Sequence, residues 1–414
     1  MLRFIHTLTG LQELTISDKG RILLYFVAFV PMIYKLISPF FILAGLANFT
    51  VIIIPTMAIV GIVMCRRDLR KAIRGEHIFL YFLIAILLAL SPIIHSETQL
   101  LFEENYGPFV TTVLPFFFVG LLLDYGRDRY ILRFVARIGI FVQMFWQACL
   151  LAGLVQTELG STDSLGEQME VAYQLLFPIL ILYISLSKER NIIDIILAII
   201  GTILLFMMGT RGPIVVYGVF VVGYLVFFRD YKKYAFLKRS FVIFLFGLFY
   251  SYLEILILAI LPIASTLGFS TRVFDSILDN RMVNLSESSS RDDFYGNVIS
   301  VIKDDNGLGQ GWLSDRLYTP DGMYVHNLEL EILCQFGCIV GGGLLLYLFF
   351  LIYRSFRYNK KERMVSFWYV MLCSGFFALQ FSYTYVKYPL FAVFIGFLFS
   401  CGHKTMQKAY CIKE

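Results

Sequence analysis

Long apolar runs alternate with short polar connections along this chain. The runs cover Ile22–Ser38, Phe40–Met64, Ile78–Ile94, Phe109–Leu123, Phe134–Val155, Val171–Ser187, Ile192–Met208, Pro213–Phe228, Phe241–Ile263, Leu328–Tyr353, Val365–Phe381 and Tyr388–Cys401. A helix needs about twenty apolar residues to cross the hydrocarbon core of a bilayer, where every backbone polar group must be bonded internally. The pattern therefore predicts an all-α, polytopic integral membrane protein of about 12 transmembrane helices, forming a single transmembrane domain over residues 1–414. Pro31, Pro55 and Pro178 fall inside runs and predict kinks there.

One connection breaks the pattern. Residues 264–326, between the ninth and tenth runs, form a large polar loop. Inside it, Ser288, Ser289 and Ser290 precede Asp292 and Asp293, the composition of a capped helix start with an acidic first turn. Phe294, Val298 and Ile302 then recur every four residues, joined by Val301, so an amphipathic helix is expected. Its apolar stripe suits either the membrane surface or the helical bundle. The run DDNGLGQG, Asp304–Gly311, ends it.

Composition agrees with this architecture. The 414 residues are 58% hydrophobic and only 16% charged, and the mean hydropathy is +0.74, values that leave too little polar surface for a soluble globular fold. The formal charge of +5 does not point to nucleic acid, because the basic residues sit mostly in short connections. The first 21 residues lack the basic, apolar and small-residue order of a cleaved signal, so the first run is expected to act as a retained anchor. The seven cysteines lie in or beside apolar runs and imply no disulfide framework. Cys334 and Cys338, one helical turn apart, read as packing residues.

Charge also predicts orientation. With the N-terminus in the cytoplasm, inner segments hold 27 of the 35 Lys and Arg and outer segments hold seven, with Lys35 inside the first run. This positive-inside distribution puts both termini in the cytoplasm and the large loop outside. The seven outer cations work against that bias and need another reason. Five are in the loop (Arg272, Arg281, Arg291, Lys303 and Arg316); Arg211 is in the tight turn GTRGP, and Lys387 follows in YTYVKY.

Several residues carry candidate chemistry, each with a plainer alternative. Arg291 and Tyr295 share one face of the loop helix, where a guanidinium beside free helix-terminal amides suits a phosphate or diphosphate; a surface ion pair is the alternative. Arg211, flanked by glycines, has room to reach a large ligand, or it snorkels to headgroups. His326, followed by Asn327, enters the tenth run; an imidazole there can accept a hydroxyl proton near neutral pH, or it is a polar cap. Glu254, deep in the ninth run, suits a transporter or an interhelical bond. The GLGQG turn lacks the flanking strand and helix of a nucleotide site.

The passages GTRGPIVV, SSRDDFYGNVISVIKDDNGLGQGW and VHNLELEILCQFGCIVGGGLLL, in that order, resemble the O-antigen polymerase/ligase superfamily over the C-terminal half of the chain. The resemblance implies a GT-C-like, metal-independent, inverting glycosyltransferase in the cytoplasmic (inner) membrane, working on its outer face without a cofactor. Its donor and acceptor would be polyprenyl-diphosphate-linked oligosaccharides, as in O-antigen, capsule or exopolysaccharide assembly. Arg211 and Arg291 would hold the diphosphate, with Tyr295, Arg272 and Arg281 lining the site. His326, beside Asn327, would orient or deprotonate the attacking hydroxyl. Membrane lipid, a chain-length regulator and a flippase are the partners it implies. A ligase to lipid A core, or a protein O-oligosaccharyltransferase, is the alternative within the family. A secondary transporter or flippase is the alternative outside it.

Overall fold

The structure is a computed structural model that describes residues 15–36, 50–151, 162–187, 189, 191–208, 210–228, 236–241, 243–244, 258, 290–305, 307–319, 322–381 and 383–411. The described residues form helices and connections, with no strand among them. In chain order the main helices are α1 (Ile16–Phe29), α2 (Thr50–Ala72), α3 (Gly75–Ile94), α4 (Gln99–Pro108), α5 (Phe116–Leu122), α6 (Tyr125–Leu151), α7 (Thr162–Leu186) and α8 (Ile192–Met207). They continue with α9 (Arg211–Gly223), α10 (Ser290–Asp304), α11 (Leu328–Phe336), α12 (Gly342–Lys361), α13 (Val365–Met371) and α14 (Pro389–Cys411).

Six helical segments among the described residues are long and apolar enough to cross a membrane: Gly75–Ile94, Ser96–Leu122, Tyr125–Cys149, Met169–Leu186, Arg211–Phe228 and Leu328–Lys361. Ile192–Met207, Val365–Phe381 and Pro389–Cys401 are apolar but shorter. The outward faces are those of a membrane protein. On α3, Phe79, Phe82, Ile86, Leu87, Ile93 and Ile94 are all exposed, a surface that water would not tolerate and lipid would.

Three boundaries differ from the apolar pattern. The first run is not one helix, because α1 ends at Phe29 and Pro31 opens a 3-10 turn to Leu36; proline cannot continue the ladder and turns its predecessor out of the helical region. The stretch before the fourth run, expected as an outer loop, is helical over Gln99–Pro108. Helix α6 begins at Tyr125, well ahead of its apolar run, since Arg, Asp and Tyr hinder entry into lipid but not helix formation.

The chain packs as two compact units interleaved in sequence. One comprises Met1–Arg66, Asp124–Glu287 and Val365–Ser374; the other comprises Arg67–Leu123, Ser288–Met364 and Gly375–Glu414. In the first, α7 is the central helix: Ala172, Tyr173, Leu175, Leu176, Phe177 and Leu180 are fully buried, with Phe177 stacked on Phe29 at 3.8 Å. Its buried charges are paired, as a low-dielectric interior requires. Asp128 accepts from Arg21 Nη1 at 2.7 Å and from the Tyr25 hydroxyl at 2.6 Å. Asp194 on α8, fully buried, accepts from Arg133 Nε at 2.5 Å and Arg137 Nε at 2.6 Å, both on α6. Arg133 also pairs with Glu189.

In the second unit α5 packs closely against α14. A Cβ on Gly396 would lie 2.0 Å from the Phe117 carbonyl oxygen and one on Gly120 would lie 2.0 Å from that of Val393, so only glycine permits this approach. Helix α11 does not run straight into α12. Gly337, at φ 71°, breaks it, and a wide turn over Gly337–Gly341 restarts it. Cys334 is therefore buried and Cys338 exposed, where an unbroken helix would have put them on one face.

Candidate functional site

The second unit holds the loop helix and the histidine. Helix α10 runs from Ser290 to Asp304 and opens with Arg291, as expected from the serine and aspartate pattern. Of its two settings, the bundle is the one adopted. Val298 is fully buried in a core with Val325 and Cys334, and Tyr295, Val301 and Ile302 pack against that core. The helix that begins at Arg291 thus rests on the segment that ends at His326.

His326 stands at φ 57°, in the left-handed region where histidine is one of the few tolerated residues. Its ring meets that of Tyr324 edge to face at 4.3 Å. The capping role that was the alternative for His326 belongs to its neighbour: Asn327 Oδ1 accepts from Leu330 N at 2.9 Å, and its Nδ2 donates to Gln380 Oε1 at 3.4 Å. The Asn327 side chain is committed to the helix start, and His326 stands at the bend just before it.

The glycine run has a structural purpose. Gly307, Gly309 and Gly311 all have positive φ, from 85° to 94°. They lay the chain against the broken end of α11, where Gln310 N donates to Cys334 O and Gly311 N to Gln335 O, both at 3.0 Å. A Cβ on Gly309 would sit 2.4 Å from Gly337 N. This docking supplies donors to carbonyls orphaned by the helix break, and it delivers the next turn, Trp312–Leu317, into the core.

That turn carries Asp315, which the sequence reading did not single out, and Arg316, one of the outer cations noted there. Asp315 is fully buried; its Oδ1 accepts from Gln335 Nε2 at 2.6 Å and its Oδ2 from Val325 N at 3.3 Å. Burial pushes the Asp315 carboxyl above its ordinary value, against the opposing pull of the Arg316 guanidinium. Arg316 is 6% exposed and donates from Nη2 to Thr384 Oγ1 at 3.5 Å; Thr384 in turn donates to the buried Glu331. Polar residues inside an apolar run, Gln335 and Glu331 among them, were the available signal.

Beside this network lies a cavity of about 590 Å³ walled by α3, α5, α11, α12 and α14. Its lining is mostly apolar, with Tyr81, Ser91, His95, Gln335, Tyr347 and Tyr385 as the residues that bring polar atoms. Lining residues extend along α3 from Leu80 to His95, about 22 Å at the rise of an α-helix.

Arg211 belongs to the first unit, where it opens α9 after Thr210 and is exposed. A cation at a helix N-terminus opposes the helix dipole, so the dipole does not account for it. Arg272, Arg281 and Glu254 lie outside the described residues, as does the side chain of Arg291.

No family model, curated protein or solved structure matches the chain. The fold itself defines the class: a helical, membrane-embedded protein, in which a buried polar network and a left-handed histidine turn occupy the second unit.

Proposed function

We propose that this chain is a membrane glycosyltransferase that polymerises oligosaccharide repeat units carried on polyprenyl diphosphate. The observation that supports the reading best is the packing of α10, which begins with Arg291, onto the segment ending at His326. The two chemistries the reaction needs, a cation for a diphosphate and a base for a hydroxyl, are thereby drawn from adjacent segments. The largely apolar cavity of the same unit, lined along α3 from Leu80 to His95, suits a lipid substrate.

In this reading the acceptor hydroxyl attacks the anomeric carbon of the donor sugar opposite the diphosphate. The bond from that carbon to the diphosphate oxygen breaks and its electron pair leaves on the polyprenyl diphosphate, so the anomeric centre inverts. Arg291 neutralises the departing charge, the role the resemblance also gives to Arg211, and His326 takes the hydroxyl proton. The proposal extends to a GT-C-like bundle of about 12 spans with cytoplasmic termini and the large loop on the outer face. A chain-length regulator and a flippase would be its partners in polysaccharide assembly.

The test is purified protein in liposomes, with polyprenyl-diphosphate-linked repeats as sole substrate and products resolved by size. A ladder of lipid-linked multimers, lost in Arg291→Ala, is the expected result. Transfer only after lipid A core or an acceptor protein is added would make the chain a ligase. Labelled substrate crossing the bilayer without transfer would overturn the reading in favour of a transporter.

A further inference from the structure

The left-handed bend at His326 is tied to a buried chain of hydrogen bonds that begins in a different part of the second unit. Trp312 Nε1 donates to the Tyr385 hydroxyl at 3.0 Å. Tyr385 donates to Gln335 Oε1 at 2.5 Å. Gln335 Nε2 donates to Asp315 Oδ1 at 2.6 Å, and Asp315 Oδ2 accepts from Val325 N at 3.3 Å. Trp312, Gln335, Asp315 and Val325 are each at most 1% exposed. The last bond ends one residue before His326.

With Asp315 ionised, the chain runs in one direction. Ionised Asp315 only accepts, so Gln335 must turn its amide NH2 toward it and its carbonyl toward Tyr385. The tyrosine hydroxyl must then donate to that carbonyl, which leaves its lone pair for the indole N–H. Every member is oriented by its neighbour, and the oriented carboxylate fixes the Val325 peptide. The Val325 side chain is fixed independently, in the core beneath α10. Held from both sides, the backbone enters His326 in a conformation that most residues avoid.

We propose that Asp315, aimed by Gln335 and Tyr385, is a positioning residue for His326. It does not touch substrate; it sets the direction of the imidazole. The inference rests on the glycosyltransferase reading for its consequence, but its structural half stands apart from that reading and is tested apart.

The first measurement is hydrogen–deuterium exchange on the full chain in nanodiscs, following the peptide that contains Val325–Asn327. Asp315→Ala should speed its exchange about fivefold or more while α12 is unchanged, since a buried amide loses its acceptor. Asp315→Leu, which keeps roughly the volume and removes both acceptor oxygens, gives the same comparison if the alanine variant does not fold. Unchanged exchange in whichever variant folds overturns the proposal.

The second measurement is transfer. Whichever Asp315 variant folds should lower kcat about tenfold with KM for the lipid donor nearly unchanged, since Asp315 does not line the cavity, the signature of a misaligned group rather than a lost binding contact. Gln335→Glu sets two carboxyls face to face, so they must share a proton. Its rate should approach wild type at acid pH and fall as pH rises, a profile that simple loss of packing does not produce. Wild-type kcat and pH profile in both variants overturns the positioning role. Full transfer by His326→Ala would instead overturn the functional reading, with the exchange result still deciding whether Asp315 holds the turn.

Discussion

His326 is constrained twice over, once by its backbone and once by its neighbours. A left-handed φ costs an ordinary L-residue about 1–2 kcal/mol, and histidine and asparagine bear it better than β-branched residues. His326→Asn should therefore keep the fold, with a thermal midpoint in detergent close to wild type, while abolishing base chemistry. His326→Val should lower the midpoint measurably, because the branched side chain adds strain at φ 57°. Equal midpoints for the two variants would show that the bend relaxes without penalty. Asp315 gives a second expectation at this scale. Its carboxyl lies above the ordinary value because burial disfavours the charge more than Arg316 favours it. The folded state thus holds the proton more tightly than the unfolded state. The cost of ionising Asp315 is absent below the unfolded value and grows as pH rises toward the folded one. Above the folded value it is fully present. Asp315→Asn should flatten that decline in a series of midpoints from acid to neutral pH; a wild-type slope in the variant would rule the assignment out.

Two elements of the fold depend on interactions of a kind that single substitutions separate cleanly. The α11–α12 break requires Gly337 at φ 71°, where an added Cβ would come within 2.2 Å of the Gly307 carbonyl oxygen. Gly337→Ala should cost on the order of 2–3 kcal/mol and release the glycine run from α11, seen as faster exchange over 307–313. The α6–α8 contact depends on charge. Removing Asp194 leaves Arg133 and Arg137 buried, Arg137 without this carboxylate and Arg133 with only Glu189. Asp194→Leu should therefore destabilise by about 3–5 kcal/mol, whereas replacing the acid and both arginines together by apolar residues should cost far less. If the triple replacement is as damaging as the single one, shape and not charge holds these helices together.

At the scale of the molecule, the apolar runs anticipated most of the described helices, because entry into lipid is a local property of composition. The helix at 290–304 was legible for a similar reason: its four-residue period and serine-rich start are local signals. Helix ends were less legible, as α1 and α6 show, since proline geometry and helical charged segments do not register in hydropathy. The pairing within the network through Trp312, Asp315, Gln335 and Tyr385 was not legible, although Gln335 inside an apolar run was a hint. Its members are spread over some seventy positions, and nothing in the sequence tells a glutamine that faces lipid from one that bonds a carboxylate. Orientation is the molecular property that the charge pattern addresses most directly. If the basic connections lie inside, single cysteines at 357 and 360 should resist an impermeant thiol reagent in intact cells until the membrane is opened. A cysteine at 308, where Leu308 is exposed, should react at once. The background must first be cleared of Cys338, which is exposed in its own right. The opposite labelling would put the His326 turn on the cytoplasmic side. A polymerase acting on exported, lipid-linked repeats would then be untenable, however well its arginines and histidine suit the chemistry.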